Sequence, residues 1–190
     1  MTDSPGRHPR LLSRDDAVLL VIDVQEGYRS VLFEYARVAT AVARLVRGAA
    51  ALGVPMLATE QYPKGVGATV AEVAEHFPAG TVPIQKMSRS CCGARDFVTA
   101  LGALGRRQVL IAGIETHACV NQTAHDLLAA GYQVHVAHDA TSSRRPEDYA
   151  VGWEKIVGAG VVPATVESAL LELVRTADVP EFKAVQKLIK

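Results

Sequence analysis

The feature that most constrains the fold of this chain is a repeated alternation between two kinds of segment. Six short apolar runs, rich in β-branched residues, are separated by longer stretches whose apolar residues recur at helical spacing. The runs cover residues 17–24, 54–59, 82–86, 108–113 and 132–137, and the sixth starts at residue 161. Such alternation is typical of βαβ units, in which parallel strands form a sheet that helices cover on both faces. We therefore predict an α/β fold with a parallel sheet.

Start and stop signals bound the helical stretches between these runs. Gly53 ends a predicted helix at 36–52, and Pro146 occupies a first helical turn, where proline is well tolerated. Residues 180–190 have apolar residues spaced for one more amphipathic helix, which would pack on its own domain or on a second subunit. No repeat or low-complexity linker interrupts the chain. We predict one domain, 1–190, with an N-terminal extension at 1–14 and a C-terminal helix at 180–190.

Charge and cysteine usage narrow the partners and the compartment. Twenty basic residues balance twenty acidic ones, and no basic stripe carries interleaved aromatic residues. We therefore expect no nucleic acid and no membrane partner, and favour a small-molecule substrate. Three cysteines, with Cys91 and Cys92 adjacent, make a poor disulfide framework. Together with the absence of a signal-peptide core or a transmembrane-length run, this predicts a cytoplasmic protein.

Three side chains able to do chemistry follow predicted strands at their carboxyl ends. Asp23 ends the first strand, Lys86 ends the third, and Cys119 follows the fourth. Ligands of open parallel sheets bind at this edge, where the strand order reverses. With the strand order 3-2-1-4-5-6, the first and fourth strands are neighbours. Asp23 and Cys119 would then meet, with Lys86 reaching across.

These three residue types supply what acyl transfer requires. Cys119 would be the nucleophile, Asp23 the proton acceptor, and Lys86 the positive charge that holds both in place. The predicted helix start at Cys119 would favour the thiolate. Each residue also has a plainer interpretation: a core thiol for Cys119, a turn or helix-cap carboxylate for Asp23, and a solvated strand-end lysine for Lys86.

Other polar residues are weaker candidates. His117 would form a Cys-His dyad with Cys119, but residues two apart on a helix point to different sides. Neither His117 with Cys119 nor His135 with His138 has the spacing of a metal site, and the latter two fit a partly buried strand end. Cys91 and Cys92 are interpreted as packing thiols.

Three motifs together resemble those of the isochorismatase-like cysteine hydrolases, over nearly the whole chain. They are Val-Ile-Asp-Val-Gln at 21–25, Lys86 before Met-Ser-Arg-Ser, and Gly-Ile-Glu-Thr-His-Ala-Cys-Val at 113–120. The resemblance implies a Rossmann-like three-layer α/β/α sandwich with a six-stranded parallel sheet, and a triad of Asp23, Lys86 and Cys119. It also implies a cis peptide at Ile114-Glu115 and an oxyanion hole formed by the backbone N–H groups of Glu115 and Cys119.

One departure from a related group bears on cofactors. Nicotinamidases of this superfamily have an Asp-x-His metal motif after the second strand, whereas residues 59–65 here read Thr-Glu-Gln-Tyr-Pro-Lys-Gly. We therefore expect no metal and no cofactor. This stretch and the C-terminal tail most resemble the isochorismatase domain-containing proteins.

The sequence thus predicts a metal-independent cysteine hydrolase that cleaves a small amide or ester through a thioester, with amide C–N bonds favoured. Tyr28, Phe33, Gln61 and Tyr62 are candidate pocket walls, because they follow strands at the same edge. The tail and the family resemblance favour a homo-oligomer. Two alternatives stay open. One is a non-catalytic interaction or scaffold protein on the same fold, and the other is a vinyl-ether hydrolase of the isochorismatase type, which can act without the cysteine.

Overall fold

A six-stranded parallel sheet forms the centre of the protein in the computed structural model, which describes residues 7–190. The strands are β1 (Ala17–Ile22), β2 (Met56–Gln61), β3 (Ile84–Lys86), β4 (Gln108–Ile114), β5 (Gln133–Ser142) and β6 (Val162–Ala164). Their order is β3-β2-β1-β4-β5-β6, and every pair is parallel. The predicted fold class and strand order are confirmed.

Helices cover both faces of this sheet. They are α1 (Tyr35–Ala51), α2 (Pro63–Val66), α3 (Ala71–Ala74), α4 (Arg95–Ala103), α5 (Asn121–Ala129), α6 (Pro146–Gly158), α7 (Val166–Val174) and α8 (Phe182–Ile189). In β1, Leu19 and Val21 belong to the apolar core shared with α1, α7 and α8, whereas Leu20 and Ile22 belong to the core shared with α4, α5 and α6. Because successive strand residues point to opposite faces, a central strand buried on both sides must be apolar throughout.

The structure differs from the sequence prediction in three elements. The polar loop after β2 contains the short helices α2 and α3. The predicted helix at 119–130 is a π-helical turn, Thr116–Val120, followed by α5. The predicted strand at 132–137 continues to Ser142, because a register shift between Ile111 and Gly113 lets the polar end of β5 pair with the end of β4.

The two ends of the described chain pack on the domain. In α8, Val185 is fully buried, and Phe182 and Ile189 pack against the core beneath α1 and α7. Near the other end, Gln108 accepts a hydrogen bond from the Ser13 N–H. Residues 1–6 of the predicted N-terminal extension lie outside the described residues. No helix within residues 7–190 is both long enough and apolar enough to cross a membrane.

Candidate active site

Asp23 follows β1 directly and is held on all sides. The backbone turns there into the left-handed region, with φ of 53°, and the Asp23 N–H donates to the Thr59 carbonyl at 3.1 Å. Its side chain is buried. Thr59 Oγ1 donates to Asp23 Oδ1 at 2.8 Å, and Lys86 Nζ donates to Oδ2 at 2.7 Å. Each carboxylate oxygen therefore has one fixed donor and room to accept another proton.

Lys86 ends β3, and its side chain is fully buried. Its ammonium donates to Asp23 Oδ2 at 2.7 Å, to Gln61 Oε1 at 2.8 Å, and to the carbonyls of Arg89 and Ser88 at 3.2 and 3.3 Å. An ammonium has three hydrogens, so these four acceptors engage all of its donors. Lys86 is therefore a fixed counter-ion of Asp23.

Cys119 lies in the π-helical turn that joins β4 to α5, and it is 2% exposed. Because β1 and β4 are neighbours, this turn reaches the sheet edge that holds Asp23, and Cys119 Sγ lies 4.0 Å from Gln61 Oε1. Burial is the main reason that the pKa of the thiol is raised to about 11; the Asp23 carboxylate also raises it, whereas Lys86 lowers it. The direction is opposite to the thiolate expected at a helix start, because burial outweighs the positive charge.

Glu115 fixes the start of this turn. The Ile114-Glu115 peptide bond is cis, and the Glu115 carbonyl accepts the N–H groups of Ala118 and Val120 at 3.0 and 3.2 Å. The buried Glu115 carboxylate accepts Arg144 N–H at 3.0 Å and Arg144 Nε at 2.9 Å. The turn is thereby tied to the segment that follows β5.

His117 faces the same segment. Its Nδ1 lies 2.9 Å from Ser143 Oγ. A Cβ on Gly152 would lie 2.7 Å from the His117 Cα, so α6 packs directly against the turn. Among the described residues His117 makes no hydrogen bond to Cys119, which agrees with the prediction that it is badly placed as the base.

The predicted pocket residues fall into two groups. Tyr28 is half-buried, and its pKa is raised to about 12 by burial and by negative charge, chiefly that of Glu115. Gln61 is buried beside Lys86. Phe33 and Tyr62 are 39% and 47% exposed. The structure therefore places Tyr28 and Gln61 beside the triad. Tyr62 lies next to it, since it lines a cavity of about 260 Å³ together with Lys86, and a role of Phe33 and Tyr62 as pocket walls stays a prediction.

Sequence reasoning missed two residues that organise the site. Thr59 holds Asp23, and Gln25 holds the end of β2: its Oε1 accepts the Gln61 N–H at 2.8 Å, and its Nε2 donates to the Gln61 carbonyl at 3.1 Å. Gln25 belongs to the motif at residues 21–25, and this motif is the signal by which the sequence could have identified it. Cys91, interpreted as a packing thiol, is fully buried with its Sγ 3.7 Å from Thr59 Oγ1.

The histidines of β5 are placed differently from expectation. His135 is 1% exposed and lies within the strand rather than at its end, because β5 continues to Ser142. His138 is exposed and packs edge-on against Trp153, with ring centroids 4.5 Å apart. Within residues 7–190, no group of three or more His, Cys, Asp or Glu side chains is arranged to hold a metal ion.

Fold and site together define a class of protein. It is an open parallel α/β protein with a buried carboxylate-lysine pair and a thiol at the carboxyl edge, where the strand order reverses between β1 and β4. More particularly, the chain belongs to the isochorismatase family: residues 17–168 match the family model described as the isochorismatase domain. Isochorismatase domain-containing protein 2 of Danio rerio is 39% identical over 179 residues, which cover 94% of this chain and 89% of that protein.

Solved structures agree with this assignment. The structure named MAR1 ribonuclease, from Caenorhabditis elegans, has a TM-score of 0.90 and 37% identity, covering 94% of this chain and 92% of that chain. The YcaC gene product of Escherichia coli, described as an octameric hydrolase of unknown specificity, has a TM-score of 0.88 and 25% identity, covering 96% of this chain and 92% of that chain. The fold is that of an isochorismatase-family hydrolase.

Proposed function

We propose that this protein hydrolyses a small amide or ester through a thioester on Cys119. The observation that carries the proposal is the buried ion pair of Asp23 and Lys86, 2.7 Å apart with side chains 1% and 0% exposed, beside a buried thiol. Desolvation makes a buried ion pair a weak source of stability, and well-packed apolar residues often serve as well. A fixed carboxylate next to a thiol is better explained as a proton acceptor for a nucleophile.

The first half of the reaction forms the thioester. As Cys119 Sγ bonds to the substrate carbonyl carbon, its proton passes to Asp23 and the carbonyl oxygen becomes an oxyanion. Because burial raises the pKa of the Cys119 thiol to about 11, we expect its proton to leave as sulfur bonds to the carbonyl carbon and Asp23 accepts it. The family resemblance assigns the oxyanion to the backbone N–H groups of Glu115 and Cys119. When the tetrahedral intermediate collapses, Asp23 returns the proton to the leaving amine or alkoxide.

The second half releases the acid. Asp23, again a carboxylate, takes a proton from water as the water oxygen attacks the thioester carbon. Collapse of this intermediate expels Cys119, which regains its proton from Asp23. Lys86 keeps its charge and its contacts throughout and orients the carboxylate. No metal and no cofactor take part in this scheme.

Hydrolysis of a panel of small amides and esters tests the proposal against its rivals. We expect Cys119→Ala to abolish turnover and Asp23→Asn to slow it roughly 10²- to 10⁴-fold, the usual contribution of general acid-base catalysis. Cys92→Ala is the matched control, because Cys92 is a half-buried thiol with no contact to the triad in the described structure. Vinyl-ether cleavage that survives Cys119→Ala would favour the isochorismatase type. An inert thiol with no turnover would favour the scaffold protein.

We favour a small substrate over a polymer because the nucleophile is only 2% exposed. An RNA substrate in the same assay tests the activity that the Caenorhabditis elegans neighbour's name describes. Nuclease activity that persists in Cys119→Ala would contradict the proposal, and we expect none at the triad.

We further propose a homo-oligomer that acts in the cytoplasm. The octameric state named for the YcaC neighbour supports the first part, and three free cysteines support a reducing compartment. Sedimentation equilibrium should give a multiple of the chain mass. A monomer at micromolar concentration would contradict the oligomer.

A further inference from the structure

The orientation of the Gln61 side-chain amide is fixed from both ends. Its Nε2 donates to the Met87 carbonyl at 2.9 Å, and its Oε1 accepts Lys86 Nζ at 2.8 Å. An ammonium can only donate, so the atom facing Lys86 must be the amide oxygen. The same oxygen lies 4.0 Å from Cys119 Sγ, where it is an acceptor for the S–H group.

The backbone of Gln61 is held as firmly as its side chain. Gln25 accepts the Gln61 N–H at 2.8 Å and donates to its carbonyl at 3.1 Å. The same Nε2 of Gln25 donates to the Gly67 carbonyl at 2.6 Å. Gln61 is also the register partner of Lys86 across β2 and β3. These contacts therefore hold the Gln61 amide oxygen next to the Cys119 thiol.

That position favours the thiol over the thiolate. A neutral oxygen acceptor stabilises S–H, and the negative end of the amide dipole opposes a charge on sulfur. The charged and titratable groups that face Cys119 are Asp23 after β1, Lys86 at the end of β3, and Tyr28 in the short helix Glu26–Tyr28. Gln61 also engages one hydrogen of the Lys86 ammonium, so that hydrogen is not directed at the sulfur.

We propose that Gln61 is a positioning residue that keeps Cys119 protonated at rest, because its Oε1 accepts the S–H and holds a Lys86 hydrogen away from the sulfur. The triad then carries no thiolate until a carbonyl substrate arrives. Because peroxides attack the thiolate form of cysteine, keeping Cys119 protonated also slows its oxidation. The inference rests on the proposed function, but thiol reactivity tests it without a substrate.

The experiment is the pH dependence of Cys119 alkylation by iodoacetamide, followed by peptide mass spectrometry, in wild type, Gln61→Met and Gln61→Glu. The Met side chain keeps the length and removes the acceptor, so the pKa of the Cys119 thiol should fall by about one unit. Alkylation at pH 7 should then be about tenfold faster than in wild type. The Glu side chain keeps the shape and adds negative charge, so alkylation should be slower than in wild type. A purely structural role would move both variants in the same direction. That result, or no change in either variant, overturns the proposal.

A matched control distinguishes a local effect on Cys119 from a general loosening of the sheet. Gln108 is another buried glutamine of the same sheet, whose side chain bonds to Ser13 and Leu11 at the opposite edge. Gln108→Met should leave the Cys119 profile as in wild type, and a shift equal to that of Gln61→Met would overturn the proposal.

The variant Asp23→Asn distinguishes failure of the Gln61 proposal from failure of the proposed function. Removing the carboxylate charge should lower the thiol pKa, because Asp23 raises it in the wild type. If Asp23→Asn leaves the profile unchanged, the triad and the proposed function fail together. If Asp23→Asn shifts the profile while the two Gln61 variants move in the same direction, only the role of Gln61 fails.

Discussion

At the scale of single residues, the Asp23–Lys86 pair combines a cost in stability with a use in chemistry. Both side chains are almost entirely removed from water, and each is the other's only opposite charge within salt-bridge distance among the described residues. Removing one partner of such a pair leaves an uncompensated buried charge, which is far more costly than removing both.

A double-mutant cycle on this pair measures that asymmetry. Lys86→Met should lower the free energy of unfolding by about 3–5 kcal/mol, because the Asp23 carboxylate is left buried and unpaired. The double variant Asp23→Asn with Lys86→Met should be more stable than Lys86→Met alone, since the stranded charge is gone. Urea unfolding of all four proteins gives the coupling energy. Additive effects would show that the pair does not interact.

That Asp23, Lys86 and Cys119 lie close together could be predicted at this scale, because Asp23 and Lys86 lie at strand ends, Cys119 lies in the turn after β4, and strand ends are visible in the sequence. The contacts of Thr59 and Gln61 could not, because they depend on side-chain rotamers that only the fold selects. The direction of the Cys119 pKa shift was also wrong, since the sequence shows the nearby lysine but not the burial that outweighs it.

At the scale of elements, the π-helical turn Thr116–Val120 decides where Cys119 lies, and α6 presses against that turn. A Cβ on Gly152 would meet the His117 Cα and N at 2.7 and 2.8 Å, which are backbone atoms that cannot move without the turn. Gly158, on the same helix, has no atom within 4 Å of such a Cβ.

These two glycines give a matched pair of alanine variants. Gly152→Ala should lower the free energy of unfolding by about 1–3 kcal/mol through overpacking, and should change the alkylation rate of Cys119 by displacing the turn. Gly158→Ala should be neutral or stabilise by up to about 1 kcal/mol, because alanine is the better helix former. Thermal unfolding and the alkylation assay measure both. Equal behaviour of the two variants would argue against a tight α6-turn contact.

The end of β5 was the least predictable element near the site. Asp139, Thr141 and Ser142 are polar and break the apolar pattern, so the sequence ended the strand at residue 137. The register shift restores pairing with Gly113 and Ile114. The segment that follows β5 thereby reaches His117 and Glu115. No spacing of apolar residues in the sequence predicts this placement.

At the scale of the whole molecule, alternation of apolar runs and helical stretches sufficed to predict the parallel sheet, whereas the strand order was taken from the common doubly wound arrangement. A strand that runs through the core also buries the polar side chains that it carries. His135 is one of them: burial, with a contribution from Arg10, lowers its pKa to about 4. Its Nε2 lies 3.0 Å from Gln133 Nε2, which fits a neutral ring that accepts there and is protonated on Nδ1.

This histidine predicts an acid dependence of stability. In the unfolded chain it takes up a proton near its ordinary pKa of 6.5, whereas the folded protein resists protonation down to about pH 4. Its contribution is therefore fully present above pH 6.5 and is lost as the pH falls towards 4, by up to about 3 kcal/mol. Urea unfolding between pH 7.5 and 4 measures the slope. The difference between wild type and His135→Leu should shrink on acidification, and a constant difference would contradict the assignment.

Capture of the acyl-enzyme tests whether Cys119 carries the acyl group. Wild type, Asp23→Asn and Cys119→Ala would be mixed with p-nitrophenyl acetate, quenched in acid within the first turnover, and mapped by peptide mass spectrometry. We predict an acetyl thioester on Cys119 in wild type, slowed roughly 10²- to 10⁴-fold in Asp23→Asn and absent from Cys119→Ala. Acetylation confined to Cys91, Cys92 or a lysine, or hydrolysis that persists unchanged in Cys119→Ala, would contradict the account.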